Sequence, residues 1–175
     1  EEVLAFCFDG TGYGDETSSA SLWGGEVLKA SLDGYERVCH LQEFSLLGGD
    51  KAIKEPKRVA LALLFEIFSY EEIEKMQHQF LAFFNEGELK NYALMHKNSI
   101  NSPRSSSIGR LFDAVFAMSG SDERISYDGQ SGLLLERDAE LFSTQESYSF
   151  ALETGVIAFK EFLVQILHEE NKKFI

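Results

Sequence analysis

Positive charge is in short supply here: 16 Lys and Arg stand against 29 Asp and Glu, a net charge of -13. A grip on duplex nucleic acid needs a basic stripe that displaces counterions. No nucleic-acid partner is therefore expected, and the acidity reads first as solubility. Long apolar runs are missing too, none approaching the roughly 20 residues that cross a bilayer, and no basic segment with an apolar stretch behind it opens the sequence. A soluble, cytoplasmic protein with no membrane partner is the expectation. Cysteine is limited to two residues, Cys7 and Cys39. Both sit in apolar, strand-like surroundings and read as small buried thiols rather than a disulfide or metal pair, which suits a reducing compartment. His40, His78, His96 and His168 are dispersed, with no i, i+4 pair and no cysteine beside them, so no metal site is expected from them. G-x-S-x-G is absent and no motif surrounds either cysteine, which leaves no legible nucleophile–base pair.

What is present is a large apolar complement. The 175 residues are 44% hydrophobic and include 15 Phe, enough for one large domain or two small lobes sharing a core. The first fifty residues read as β. "VLAFCF" is a short apolar run that stops at Asp9-Gly10, consistent with a strand buried on both faces. "GEVLKASL" and "YERVCHLQEFSL" alternate, with the hairpin signal Asp33-Gly34 between them. Residues 51–175 read as mainly helical. Asp50, behind Gly48-Gly49, is placed to cap a helix running through "KRVALALLFEIFSY", with Pro56 in its early part. That helix is apolar nearly all round and should be buried. "YEEIEKMQHQFLAFFN" has helical spacing, a short helix is expected over Glu88 to Lys97, and residues 98–106 form a loop. Ser106 or Ser107 can cap "IGRLFDAVFAMSG", which should end at Gly120. Asp128-Gly129 marks a turn into another helix, and the final "GVIAFKEFLVQILHEENKKF" places Phe159, Phe162, Leu163, Ile166 and Leu167 on one helical face. Early strands followed by helices suggest an α/β or α+β fold. Both ends look cut, Glu1 leading straight into a strand and Phe174-Ile175 closing on two bulky apolar residues, so an excised piece of a longer polypeptide is expected.

Three glycine loops and one helix start carry the chemistry. In "DGTGYGD", Gly10, Gly12 and Gly14 could turn successive N–H groups onto an anion, with Thr11 adding a hydroxyl. A glycine-rich hairpin explains the pattern equally well, since it matches neither the P-loop nor the dinucleotide fingerprint. Asp9 could orient a metal-bound water or contact a sugar hydroxyl. "WGGE" and "LGGD" repeat a glycine pair followed by an acid; Gly48-Gly49 before Asp50 permits close approach at a helix N-terminus, although a cap and a tight turn would look the same. In "NSPRSSSIGRLFDAV", Arg104 and Arg110 are rare cations beside Ser105, Ser106 and Ser107, a set that suits a phosphate or carbamoyl oxygen. Asp113 lies one turn from Gly109 and Arg110, and a surface Arg–Asp pair is the plainer alternative. Gly109 weakens an otherwise strong helix unless something must approach closely.

These stretches resemble the HypF family, the carbamoyltransferases of nickel–iron hydrogenase maturation. The resemblance runs through Phe8 to Asp15, Trp23-Gly24-Gly25-Glu26, Gly34 to Val38, Gly48-Gly49-Asp50, Glu55-Pro56, Arg58, Ser105 to Asp113, and Tyr127-Asp128-Gly129-Gln130. It implies a partial threonylcarbamoyltransferase-like domain over 1–175, of the actin-like, sugar-kinase-like ATPase superfamily, strand-rich over 1–50 and mainly helical over 51–175. It also implies that ATP and carbamoyl phosphate yield a carbamoyl-adenylate at a separate domain, and that the carbamoyl group passes to the C-terminal cysteine of HypE. The nucleotide- and carbamoyl-binding set would be Asp9, Gly10, Thr11, Gly12, Gly14, Gly48, Gly49, Asp50, Ser106, Ser107, Gly109, Arg110 and Asp113, with Asp113 on the ribose hydroxyls and Asp9 or Asp50 as catalytic candidates. The family's His-rich metal motif would precede Glu1 and its Ser-Gly-Gly nucleotide loop would follow Ile175, so any Mg²⁺ site lies outside this chain and the chain alone should be inactive. A small-molecule kinase of the same superfamily and a non-catalytic acidic interaction module are the alternatives.

Overall fold

Why the helices gather where they do is clearest at the apolar stretch near residue 60. In the computed structural model, which describes residues 1–14, 21–141 and 146–168, α2 (Pro56–Phe65) buries Val59 through Leu64 completely. A helix without a polar stripe has to be covered on every side. Around it lie α3 (Tyr70–Lys75), α4 (Glu86–Lys97), α5 (Ile108–Met118) and the short strand β4 (Phe44–Ser45). Phe44 and Phe159 meet edge to face in this core, 6.1 Å between ring centres.

Beside the core stands a five-stranded sheet in the order β1-β2-β3-β7-β6, formed by Val3–Gly12, Trp23–Ser31, Gly34–Leu41, Val156–Ala158 and Ala151–Glu153. Its pairings are antiparallel except β3 with β7. β5 (Arg104–Ser105) pairs with β4 in a second, two-stranded sheet and leads into α5. α1 (Asp50–Lys54), α6 (Gln130–Ala139) and α7 (Lys160–His168) complete the elements. The fold is α+β: a mixed sheet with helices.

Several expectations need correction. The apolar run of β1 is not buried on both faces: Val3, Leu4, Phe6 and Phe8 are exposed, as is Cys7, and Cys39 is half-buried. β1 is an edge strand with one lateral neighbour, and α5 meets it at Asp9 and Gly10. Asp50 does not cap one long helix. Gly49 precedes α1, and the chain leaves the helical region at Glu55 (φ -126°, ψ 82°) because Pro56 restricts the residue before it. "YEEIEKMQHQFLAFFN" divides into α3 and a 3₁₀ turn, Gln79–Phe83, after Met76 turns extended (ψ 135°). The first hairpin turns on Leu32-Asp33 rather than Asp33-Gly34, with Ser31 paired to Gly34. The final stretch is not one helix. Thr154 (φ 48°) and Gly155 (φ 80°) make a two-residue hairpin turn between β6 and β7, and α7 starts only at Lys160. Residues 169–175 of that expected helix lie outside the described residues, as does Asp15.

Candidate functional site

The start of α5 holds the densest set of polar contacts. Ser107 is the cap: its hydroxyl oxygen accepts the Arg110 N–H at 3.1 Å and lies 3.0 and 2.8 Å from the Asp9 and Gly10 carbonyl oxygens. The cap therefore fastens the helix to β1 as well as closing its first turn. A side chain at Gly109 would put Cβ 2.9 Å from the Gly10 Cα, and one at Gly24 would reach 2.7 Å from the Asp9 carbonyl oxygen. Glycine at 109 is explained by this backbone contact, which outweighs its cost to the helix.

Gly10, Gly12 and Gly14 do not form the anion nest considered from the sequence. None has a positive φ, and β1 stays extended through Gly12. The Gly10 and Thr11 amides point at their own neighbour, donating to Asp9 Oδ1 at 2.6 and 3.4 Å, and the Thr11 hydroxyl donates to the Gly10 carbonyl at 2.6 Å. A Cβ on Gly12 would approach the Trp23 carbonyl oxygen at 3.2 Å, and one on Gly14 would collide with the Trp23 indole. These glycines let backbone and ring pass closely.

Behind the junction, Arg110 and Asp113 are buried together, at 3% and 2% exposure, so the surface-pair alternative does not hold. Arg110 Nη1 sits 2.6 Å from Asp113 Oδ2, and Nη2 donates to Asp128 Oδ1 at 2.9 Å. Ser131 donates to Asp113 Oδ1. Arg110 Nε has no hydrogen-bond partner, and Asp113 Oδ2, though close to the guanidinium, is not aligned for a hydrogen bond. Burial pushes the Asp113 carboxyl above its ordinary value; the Asp128 charge adds to this, while Arg110 and Ser131 oppose it. A small cleft of about 110 Å³ opens here, lined by Gly10, Gly109, Arg110, Phe112, Asp128, Gly129, Ser131 and Gly132.

A second buried carboxylate lies on the far side of the same junction. Glu26 Oε1 accepts from the Gly24 and Gly25 amides at 3.1 and 3.3 Å and from the Ser106 hydroxyl; Oε2 takes the Arg37 Nε–H at 2.5 Å. Burial pushes its pKa up, but the bonds from Arg37, Ser106 and Gly24 and the Arg37 charge together hold it below the ordinary value.

The structure thus brings together Asp9, Gly10, Ser107, Gly109, Arg110 and Asp113, with Ser106 one layer behind. Gly48, Gly49 and Asp50 stand apart from the cleft lining, Gly48 packing on Arg58 and Gly49 on Asn101. Arg104 is drawn away to Glu66 and to the Glu43 carbonyl. Glu26, Asp128 and Ser131 join the site without standing in the set expected from the sequence; the "WGGE" loop points to the region of Glu26, and Asp128-Gly129 signals only a turn. Among the described residues no group of three or more His, Cys, Asp or Glu could hold a metal ion, and no helix is long and apolar enough to cross a membrane.

Residues 5–174 match the family model described as a carbamoyltransferase, Kae1-like domain, second subdomain. The fold and the cleft therefore belong to part of a Kae1-like domain. Curated relatives include carbamoyltransferase HypF of Synechocystis sp., 36% identical over 87% of this chain and 21% of that protein, and the probable carbamoyltransferase HypF of Methanocaldococcus jannaschii, 31% identical over 100% of the chain and 23% of that protein. Full-length HypF, in its phosphate- and nucleotide-bound crystal form, superimposes with a TM-score of 0.83 at 31% identity, covering 100% of this chain and 26% of that one. The chain belongs to the HypF carbamoyltransferase family, and it spans about a fifth to a quarter of the length of these relatives.

Proposed function

We propose that the chain supplies part of the nucleotide- and carbamoyl-binding site of an ATP-dependent carbamoyltransferase. In this reading the carbamoyl group comes from carbamoyl phosphate, is activated with ATP as a carbamoyl-adenylate, and passes to the C-terminal cysteine of HypE. The acceptor thiolate attacks the carbamoyl carbon, the new C–S bond forms, and the C–O bond to AMP breaks, its electron pair leaving with the phosphate oxygen. The observation that carries the reading is the Arg110–Asp113 pair: a buried cation and a buried carboxylate, both incompletely hydrogen-bonded, beside a glycine-lined cleft. Buried polar groups are normally satisfied, and unmet ones beside a cleft suit a ligand.

Size narrows the assignment. Pockets for whole drug-sized ligands run to about 300–1,000 Å³, whereas this cleft is about 110 Å³. It suits one end of the ligand, with Arg110 on an oxygen of the phosphate or carbamoyl group; Asp113, the candidate for the ribose hydroxyls, stands directly behind Arg110 and outside the lining. The chain's own contribution is to orient a reactive anhydride. Asp128, the carboxylate in the cleft lining, is taken by Arg110, and Asp113 stands behind Arg110 outside the lining. They do not fit a Mg²⁺ site, and among the described residues no cluster of carboxylates, His or Cys does.

Calorimetry on the full-length protein tests the reading. AMP should bind, and Asp113→Ala should weaken it by about 100-fold if two ribose hydrogen bonds are lost. Unchanged AMP affinity in Asp113→Ala would remove Asp113 from the ligand site, and unchanged affinity in Arg110→Ala as well would remove the cleft.

A further inference from the structure

We propose that Glu26 is a positioning residue that sets the geometry of the β1–α5 junction, and through it the affinity of the ligand site. The inference rests on the reading of the Arg110 cleft given above. Glu26 does not line the cleft. Its carboxylate is nonetheless 2% exposed and engaged by donors from three separate places: the Gly24 and Gly25 amides of its own strand, Arg37 on β3, and the Ser106 hydroxyl just ahead of α5. Arg37 reaches the same serine, Nη2 donating to Ser106 Oγ at 3.4 Å, while its guanidinium carbon lies 4.4 Å from the centre of the Trp23 ring.

From Ser106 the path to the site is one peptide bond. Ser107 is the residue whose hydroxyl caps Arg110 and touches the Asp9 and Gly10 carbonyls. The backbone is held on the other side as well, since a Cβ on Gly25 would fall 2.6 Å from the Ser106 carbonyl oxygen and the Ser106 amide donates to Leu22 at 3.0 Å. One carboxylate thus ties β2, β3 and the entry to α5 into a single block.

The charge state, and not the volume alone, performs this task. An ionised carboxylate offers about four acceptor sites and no donor, and here it receives from Gly24, Gly25, Ser106 and Arg37. A carboxamide of the same shape would turn an NH₂ toward one of those donors. Turned toward Ser106, it would remove one of that residue's three ties (to Glu26, to Arg37 and to the Leu22 carbonyl), and Ser107 would shift with it. Misplacing a ligand-positioning group by about 1 Å costs on the order of 100-fold.

The experiment compares wild type and Glu26→Gln in the full-length protein, with AMP as the probe and amide hydrogen exchange as the second readout. Glu26→Gln should unfold cooperatively, lose AMP affinity by about tenfold or more, and exchange faster at Ser107 to Leu111 while Val59 to Leu64 keep wild-type protection. A merely structural role would raise exchange in both segments together and so overturn the inference. AMP affinity within twofold of wild type would also overturn it. Failure of wild type itself to bind AMP would instead count against the proposed function, and the exchange pattern would still decide the role of Glu26. If Glu26→Gln does not fold, Arg37→Lys replaces it; it keeps the charge but loses the second arm to Ser106, and a wild-type exchange pattern at Ser107 to Leu111 in that variant would sink the proposal.

Discussion

Glu26 and Asp113 are two carboxylates at 2% exposure, each facing an arginine, on opposite sides of one helix start. Their surroundings differ in one respect. Every side of Glu26 is met by a donor, and its pKa stays low despite burial. Asp113 has Ser131 on one oxygen and a poorly aligned guanidinium on the other, and burial wins, so its pKa is raised. A fully matched charge builds a framework. An incompletely matched one leaves bonds that, in the function proposed above, a ligand supplies.

The sharpest way to break the comparison is to remove the matched charge. Glu26→Ala leaves two amides and a hydroxyl without this acceptor and strips Arg37 of its ion-pair partner, and breaking such a pair costs about 3 kcal/mol or more. Urea unfolding of the 175-residue chain measures this as a lower midpoint at constant slope. A loss under about 1 kcal/mol would mean that Glu26 behaves as a surface ion pair. The backbone beside each carboxylate gives a second contrast, of opposite sign. Gly25→Ala must push Cβ into the Ser106 carbonyl oxygen, 2.6 Å away, and should destabilise by about 1–3 kcal/mol. Gly132 lies inside α6, where an added methyl would meet nothing within 4 Å, and Gly132→Ala should gain about 0.5–1 kcal/mol. Thermal melts of the two variants moving in the same direction would refute the distinction between a closed side and an open side.

What the sequence revealed follows the same division between local and distant causes. α2 and α5 were legible because their apolar spacing and the Ser107 cap are written within a few residues. β1 was not, because "VLAFCF" and "VALALL" are equally apolar and only packing partners decide which is covered; α2 has neighbours all round, whereas β1 has one lateral neighbour and meets α5 at its far end. The hairpin of β6 and β7 escaped notice since its strands are three residues each and Thr154 is an unusual residue for a left-handed turn. At the site, Arg110 and Asp113 share one helix turn and could be paired from spacing. Asp128 and Ser131 come from eighteen residues away in each case, and no local pattern announces such a pairing. Glu26 meets Ser106 across 80 residues.

The smallest effect is also the one that separates the two carboxylates most directly. Glu26 has a folded pKa below its ordinary 4.5, so the stability it contributes is present above about pH 4.5 and is lost as pH falls through the lower folded value. Asp113 has a folded pKa above its ordinary 3.8. Between 3.8 and that raised value the folded state holds more protons than the unfolded one, so stability falls as pH rises, and the cost of ionisation persists at neutral pH. The absolute cost of substituting either residue cancels if only the change with pH is read. The stability of wild type relative to Glu26→Gln should therefore shrink on going from about pH 7 to about pH 4, while that of wild type relative to Asp113→Asn should grow. Denaturant titrations at the two pH values measure both differences. Parallel slopes for the two variants would show that the carboxylates share one electrostatic role; opposite slopes leave Glu26 as framework and Asp113 as the group whose charge is held in readiness for a ligand.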